Sequence, residues 1–263
     1  FDKAAAEARA LISGATEQWI RYRMAAELAR CTPDTKRITL EVEPFARLGT
    51  SKAVNLTCAP PKYKDKDKET YPEPRPDRIA ELEPGIFYVD LDRVNEADWK
   101  AVTPRLEKAK GIIFDMRGYP GRPGILALGH LTDTTIRCAR WNVPEVTMPD
   151  RLNFRFNESG WDVKPEKPYF AARRAFLTDG RAISYAETVM GIVEHYKLGD
   201  IVGGPTAGTN GNVNPFKLPG GFTVTWTGMK VLKHDKSQHH GIGILPTVPA
   251  SRTRRGVAEG RDE

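Results

Sequence analysis

The chain has 263 residues, 40% of them apolar and 9% aromatic, which is typical of a globular protein large enough to bury a core. The net charge of +6 invites a nucleic-acid partner, but the lysines of residues 62–68 alternate with acidic residues and the arginines of residues 252–255 lack interleaved aromatics, so none is expected. No apolar run approaches the roughly 20 residues of a membrane-spanning helix.

The cysteines and the N-terminus give little information about the functional class or the compartment of the protein. Cys31, Cys58 and Cys138 are widely spaced, with no Cys-x-x-Cys or Cys/His cluster, so we expect no metal centre, no cofactor and at most one disulfide. The chain starts at Phe1 inside a helical pattern, without an initiating methionine or a signal sequence. We therefore expect a fragment or a processed piece, whose N-terminus does not indicate its compartment.

The first part of the chain predicts a small α+β unit followed by a linker. Apolar residues recur at helical spacing through residues 1–30, with a break near Ser13-Gly14, which indicates one helix or two. Residues 37–42 alternate with period two and residues 53–57 follow a turn, so a β-hairpin is expected. Residues 60–78 are charged and rich in proline, which places a domain boundary there.

Beyond the linker, strands alternate with helices, which predicts an α/β domain over residues 79–263, with a mixed sheet and crossover helices. Residues 138–168 fit no element and are expected to cover the edge of the sheet or the site. The predicted elements are strands at residues 85–89, 111–114, 169–177, 201–202 and 222–226, and helices at residues 96–110, 124–131 and 184–197.

Two glycine-rich segments follow predicted strands. Asp115-Met-Arg-Gly-Tyr-Pro-Gly121 comes after a buried-type strand, so it belongs at the carboxyl edge of the sheet, where α/β sheets bind ligands. Its glycines would let backbone amides approach a bound group closely. Gly203-Gly-Pro-Thr-Ala-Gly-Thr-Asn-Gly211 lacks the Gly-Lys-Ser/Thr ending of a phosphate loop, which argues against nucleotide binding.

Ser184 lies at the predicted start of a helix and has two interpretations. Ser184-x-x-Glu187 matches the capping box, in which each side chain satisfies a free backbone N–H group. The same position places the hydroxyl beside free N–H groups and the positive end of the helix dipole, where an oxyanion could be held. Local sequence favours the cap, and only the rest of the chain can favour the nucleophile.

Taken together and in order, the segments of residues 84–260 resemble the tail-specific or C-terminal-processing serine peptidases, a family that also includes the tricorn core protease and the retinoid-binding protein of the eye. The resemblance implies a crotonase-like or ClpP-like core with Ser184 as the nucleophile, and residues 1–59 resemble the last part of a PDZ domain. The motifs that carry it are Phe114-Asp-Met-Arg-Gly-Tyr-Pro-Gly121, Asp179-Gly-Arg-Ala-Ile-Ser-Tyr-Ala-Glu187, Gly203–Gly208 and Gly243-Ile-Leu-Pro246.

The resemblance leaves the general base open. Some family members carry a lysine after the Thr-Ala-Gly motif, but that position is Thr209 here, which excludes a Ser/Lys dyad. Others use an earlier histidine, and since His130 is the first histidine of this chain, such a base would belong to a missing N-terminal part of the same protein. Where those members carry an assisting carboxylate, this chain has His239-His240. We expect His240, rather than His239, to orient the site or act as base, unless this is a polar surface turn.

The remaining candidate residues follow from the same resemblance. The backbone N–H groups of Gly118 and Tyr185 are the expected oxyanion donors, and Glu187 is the capping partner rather than a catalytic acid. Gly208, Thr209 and Phe216 are expected to contact the substrate. Phe216, together with the apolar residues at positions 218 and 226, either lines a pocket or packs in the core.

These observations predict a serine endopeptidase that hydrolyses peptide or protein substrates by acyl transfer. A second hypothesis is a catalytically inactive member that binds extended peptides or apolar ligands, which the missing lysine and the missing early histidine both favour. A third is a purely structural α/β domain of a larger assembly. The family resemblance implies an extracytoplasmic location, either periplasmic or secreted.

Overall fold

The computed structural model describes residues 2–28, 35–43, 50–58, 74–150 and 152–262. The helices are α1 (Asp2–Ala10), α2 (Glu17–Leu28), α3 (Glu96–Leu106), α4 (Pro123–Gly129), α5 (Tyr185–Tyr196) and α6 (Arg254–Glu259). The strands are β1 (Arg37–Val42), β2 (Lys52–Thr57), β3 (Ile79–Glu83), β4 (Ile86–Asp90), β5 (Gly111–Asp115), β6 (Ile136–Arg137), β7 (Trp141–Glu145), β8 (Arg155–Ser159), β9 (Asp162–Val163), β10 (Arg173–Thr178), β11 (Asp200–Gly203), β12 (Asn214–Lys217), β13 (Thr223–Trp226), β14 (Lys230–Val231) and β15 (Val248–Pro249).

The chain divides into two compact units. One comprises residues 1–12, 21–76 and 250–263, and the other comprises residues 13–20 and 77–249. The division after residue 76 falls within the proposed linker, most of which lies outside the described residues. Residues 13–20 and 250–263 differ from the expected bounds, because each packs with a unit distant from it in sequence. Local composition carries no signal of such contacts.

The N-terminal helices and hairpin form as the sequence predicts. The helical pattern of residues 1–30 is two helices, α1 and α2, separated at the predicted break. β1 and β2 pair antiparallel, with Arg37 opposite Thr57 and Val42 opposite Lys52. Cys58, directly after β2, is disulfide-bonded. Membership of a PDZ domain stays a prediction.

The larger unit is built on a six-stranded mixed sheet in the order β15-β11-β10-β5-β4-β3. Strands β4, β5, β10, β11 and β15 run parallel, and β3 pairs antiparallel with β4. Helix α3 connects β4 to β5 and helix α5 connects β10 to β11, as expected for crossover helices. The core contains Phe114 and Phe176, which are fully buried with ring centroids 5.1 Å apart.

The register brings the carboxyl ends of the parallel strands to one edge. Asp115 at the end of β5 lies opposite Leu177 of β10 on one side and Asp90 of β4 on the other. Thr178 at the end of β10 lies opposite Gly203 of β11. The loops that follow β5, β10 and β11 therefore start side by side, and these are the loops that carry the predicted motifs.

The regions that lacked a clear sequence pattern form small separate sheets. Residues 138–168 contribute β7 and β8, which join β14 in a three-stranded antiparallel sheet, and β9, which pairs with β6. The predicted strand at residues 222–226 is β13, but it pairs with β12 in a hairpin outside the main sheet. None of the helices in the described part of the chain has the length and apolar character to cross a membrane.

Candidate active site

The loop that follows β5 is fixed by a buried ion pair. The fully buried Asp115 carboxylate accepts hydrogen bonds from the Arg117 guanidinium, with Nη2 2.6 Å from Oδ2. It also accepts from the Tyr88 hydroxyl at 2.7 Å and from the Arg117 N–H group at 2.9 Å. Because the carboxylate is fully engaged by neighbouring groups, these hydrogen bonds hold the loop in one conformation.

The loop that follows β10 uses the same arrangement. Asp179 accepts from the Arg181 N–H group at 2.9 Å, and the Arg181 guanidinium pairs with both carboxylate oxygens. The Asp-x-Arg spacing is that of residues 115–117, and the two loops leave neighbouring strands. Each loop is thus fixed at its start, and the second leads directly into Ser184.

Ser184 has a backbone conformation that non-glycine residues rarely adopt, with φ of 56° and ψ of −110°. A capping box is present in outline, since Glu187 Oε2 accepts from the Ser184 N–H group at 3.3 Å. The Ser184 side chain faces the Glu187 N–H group, which completes the capping box, but the contact lacks the geometry of a full hydrogen bond. Strain of this kind costs about 1–3 kcal/mol and is concentrated at functional sites. The sharp turn therefore holds a half-buried residue whose hydroxyl faces the Glu187 N–H group of the capping box and is engaged by no other side chain in the described part of the protein.

The buried Glu187 carboxylate joins the Ser184 turn to the loop that follows β11. Its Oε1 accepts from the Thr206 hydroxyl at 2.6 Å and from the Gly208 N–H group at 2.7 Å. Its Oε2 accepts from the Thr209 N–H group at 2.9 Å, in addition to that of Ser184. In return, Ser184 N–H donates to the Thr209 carbonyl at 2.9 Å. One carboxylate thus positions both segments.

Tyr185 joins the loop of residues 115–121 to the same helix. Its hydroxyl donates to the Gly121 carbonyl at 3.4 Å and accepts from the Ile125 N–H group at 3.1 Å. Burial raises the pKa of this hydroxyl, as does the neighbouring Tyr119, so it stays protonated as the donor. The first predicted motif is therefore adjacent to the start of α5, next to Ser184.

The two expected oxyanion donors differ in availability. The Tyr185 N–H group is the first of α5, so no carbonyl of a preceding helical turn accepts from it. The Gly118 N–H group donates to the Met116 carbonyl at 2.9 Å. Gly118 has a φ of 154°, and a Cβ atom there would overlap the Asp92 carboxylate, so only glycine fits.

Comparison with known proteins identifies the family of this chain. Residues 85–250, more than half of the chain, match the profile of peptidase family S41. The chain belongs to peptidase family S41. No curated protein matches the sequence.

Solved structures show the same fold at low identity. A candidate peptidase from Parabacteroides merdae has a TM-score of 0.59 at 19% identity, covering 70% of this chain and 60% of its own. CPAF complexed with lactacystin has a TM-score of 0.65 at 11% identity, covering 91% of this chain and 70% of its own. Mature CPAF gives 0.64 at 12% identity, with coverages of 90% and 68%. The chain therefore spans less than two thirds of the Parabacteroides protein.

The two consecutive histidines at positions 239 and 240 lie in different environments in this S41 chain. His240 is exposed, whereas His239 is 4% exposed and its Nε2 lies 3.4 Å from Glu187 Oε1. His239 rather than His240 therefore lies beside Glu187, and the role of His240 in orienting the site or acting as base stays a prediction. Within the described residues, His239 Nε2 has no hydrogen-bond partner, and no side chain bonds the Ser184 hydroxyl.

The predicted substrate contacts fall into two places. Gly208, with a φ of 70°, and Thr209 adjoin Ser184, but their N–H groups are occupied by Glu187. Phe216 lies on the β12–β13 hairpin and is 47% exposed. The neighbouring apolar side chains at positions 218 and 226 are also exposed, at 45% and 55%. The core-packing interpretation of these three residues is therefore wrong, because a two-stranded hairpin buries neither face.

Two residues near the N-terminus support the site without any sequence signal. The Thr16 hydroxyl donates to the Ala207 carbonyl at 2.8 Å, and Gln18 Nε2 donates to the Thr206 carbonyl at 2.7 Å. Both bonds join residues nearly 200 positions apart in sequence. Among the described residues, no group of histidine, cysteine or acidic side chains could hold a metal ion.

Proposed function

We propose that this chain carries the nucleophile of a serine endopeptidase, with Ser184 as that residue. The observation that supports the proposal most directly is the strained turn at Ser184, whose hydroxyl no side chain in the described residues engages. The turn stands where the loops that follow β5 and β11 meet the first turn of α5. A serine whose only task was capping would not need a positive φ, because capping residues are typically extended.

The geometry supports acyl transfer in two steps. The Ser184 oxygen would attack the scissile carbonyl while its proton passes to a base, and the amine would leave with a proton to give an acyl-enzyme. Water would then hydrolyse the ester and free the serine. The Tyr185 N–H group would stabilise the oxyanion in both steps, and the Gly118 N–H group would join it by turning away from the Met116 carbonyl. Such a donor is worth about 2.7–4 kcal/mol.

The general base in this proposal is a histidine outside this chain. Two observations support this choice: Thr209 stands where a lysine would be needed, and no described side chain contacts the Ser184 hydroxyl. The exposed His240 is the alternative base within the chain. His239 would not be the base in this proposal but a buried neighbour of the Glu187 carboxylate.

Further parts of the proposal concern architecture and place. The mixed sheet with its crossover helices would be the crotonase-like core of the family, preceded by the end of a PDZ-like domain in residues 1–59. The substrate would be a peptide or a protein. An extracytoplasmic location is supported by the disulfide bond of Cys58, because structural disulfides persist in oxidising compartments.

A fluorophosphonate probe on the full-length protein tests the nucleophile. We expect stoichiometric labelling that maps to Ser184 and is lost in Ser184→Ala, whose free energy of unfolding should change by no more than about 1 kcal/mol. Labelling that persists in Ser184→Ala would refute the assignment.

The second candidate function is a non-catalytic peptide-binding module, which the absence of a contacting base in the described residues favours. It predicts no labelling of the full-length protein but measurable affinity for extended peptides. Labelling with turnover would exclude it.

A further inference from the structure

A row of aromatic side chains passes beside the proposed nucleophile. The Trp141 and Trp161 rings meet edge to face with centroids 4.6 Å apart. Trp161 lies 5.7 Å from Tyr185, and Tyr185 lies 6.0 Å from Tyr119. These four residues come from β7, the segment before β9, the first turn of α5 and the loop that follows β5. We call them the aromatic row.

Two members of the aromatic row face solvent, so packing alone does not explain them. Tyr119 is 53% exposed and Trp161 is 39% exposed. Scattered exposed aromatics are ordinary, but these two contact the same ring, that of Tyr185. Aromatic side chains that stay exposed within a contiguous cluster typically mark a binding surface.

The aromatic row is held rigidly, as a recognition surface requires. Tyr185 is fixed by hydrogen bonds to Gly121 and Ile125. Trp161 is fixed through its backbone, since its N–H group donates to Cys138 Sγ at 3.0 Å and its carbonyl accepts from the Cys138 N–H group at 3.0 Å. A ligand side chain would therefore meet a preformed surface and order few protein groups on binding.

The position of the aromatic row relates it to the reacting atoms. Tyr185 is itself one of the two proposed oxyanion donors, and Tyr119 directly follows the other, Gly118, so both tyrosine rings belong to the segments that supply those donors. A peptide whose carbonyl is held by those donors would place the side chain of a residue at the scissile bond within reach of this surface. Aromatic faces favour large apolar and aromatic groups, and the pKa direction of Tyr185 leaves no negative charge there.

We infer that the aromatic row is the subsite that selects a large apolar or aromatic substrate residue adjacent to the scissile bond. This inference rests on the proposed function of Ser184. Trp161 and Tyr119 would determine specificity, whereas Tyr185 would also supply a backbone donor. Burying one such side chain on the row should favour Phe or Leu over Ala by about 10–100-fold in kcat/KM.

The test uses quenched fluorescent peptide pools in which one position is fixed as Phe, Leu, Ala or Asp. The full-length protein is compared with Trp161→Ala and Tyr119→Ala, and Tyr169→Ala serves as the control, because Tyr169 is an exposed aromatic residue outside the aromatic row. Trp161→Ala should lose most of the preference for Phe over Ala. Tyr119→Ala should lose part of it, and Tyr169→Ala should keep it.

A binding measurement separates failure of this inference from failure of the proposed function. In the Ser184→Ala background, titration calorimetry with one Phe peptide and its Ala analogue should show the same preference, and Trp161→Ala should remove it. Equal affinity for both peptides would overturn the inference even if Ser184 is labelled. An equal loss of preference in Tyr169→Ala, or burial of the row in a concentration-dependent dimer, would overturn it as well. If Ser184 is not labelled but the preference in binding persists, the subsite stands and the catalytic proposal falls.

Discussion

The Glu187 carboxylate offers the sharpest test of how this site is held together. It is 1% exposed and accepts hydrogen bonds from Thr206, Gly208, Thr209 and Ser184. Glu187→Ala removes all four acceptor contacts at once, and the Thr206 hydroxyl and the Gly208 N–H group are buried. A buried donor left without an acceptor costs about 1–3 kcal/mol.

Glu187→Ala should therefore lower the free energy of unfolding by about 3–5 kcal/mol, which corresponds to a fall in Tm of about 6–20 °C for a unit of this size. Glu187→Gln should be nearly as damaging, because its amide presents N–H groups to two of the donors. In both variants the fluorophosphonate rate at Ser184 should fall by about 100-fold, since misplacement of a reacting group by an ångström has that effect.

The measurement is urea unfolding followed by fluorescence, with Glu194→Ala as the control. Glu194 lies on the same helix and is 32% exposed, with one ion pair to Lys233 at 2.8 Å, so its loss should cost less than about 1 kcal/mol. If Glu187→Ala unfolds within about 0.5 kcal/mol of the control, or labels at the unaltered rate, the assignment of Glu187 as a positioning residue is wrong.

Three further outcomes are expected. Gly118→Ala should reduce turnover by at least about 100-fold, measured as kcat/KM, because its Cβ atom would meet the Asp92 carboxylate and shift an oxyanion donor. Tyr185→Phe should cost about 0.5–1.5 kcal/mol in urea unfolding, because the Ile125 N–H group loses the Tyr185 hydroxyl and keeps only the Arg122 carbonyl as acceptor. Burial lowers the pKa of His234, and so does the charge of a neighbouring histidine. The folded protein therefore binds a proton at this site less readily than the unfolded chain, so the free energy of unfolding should fall as pH drops below about 6.5. His234→Asn should weaken this dependence on pH, measured as Tm across about pH 5–8.

Much of the fold follows from local pattern. Period-two alternation predicted β1 and β2, and helical spacing predicted α3 and α5 to within a few residues of their observed bounds. The short strand β3 was missed because five residues with exposed acidic positions resemble a loop until they pair with β4. The sequence did not predict that β12 and β13 form a hairpin outside the main sheet, because alternation indicates a strand without identifying the strand with which it pairs.

The site divides in the same way. Ser184, Tyr185 and the glycine at position 118 stand in motifs that a reader of the sequence can find. The inward-facing histidine could not be chosen between positions 239 and 240, because the direction of a side chain in a turn depends on the backbone angles. Trp161 lay in a segment without a pattern, and its proximity to Tyr185 is set by a contact between distant parts of the chain.

The order of motifs along the chain by itself determined the family, the nucleophile to test and the alternation of strands and helices, because these depend on residue type and on spacing within a few turns of chain. Only the tertiary structure decided that Glu187 is a buried acceptor shared by two loops rather than a simple cap, and that Tyr119 and Trp161 lie against Tyr185. Those relations join residues more than 20 positions apart, and their energies come from burial and from partners that no local pattern specifies.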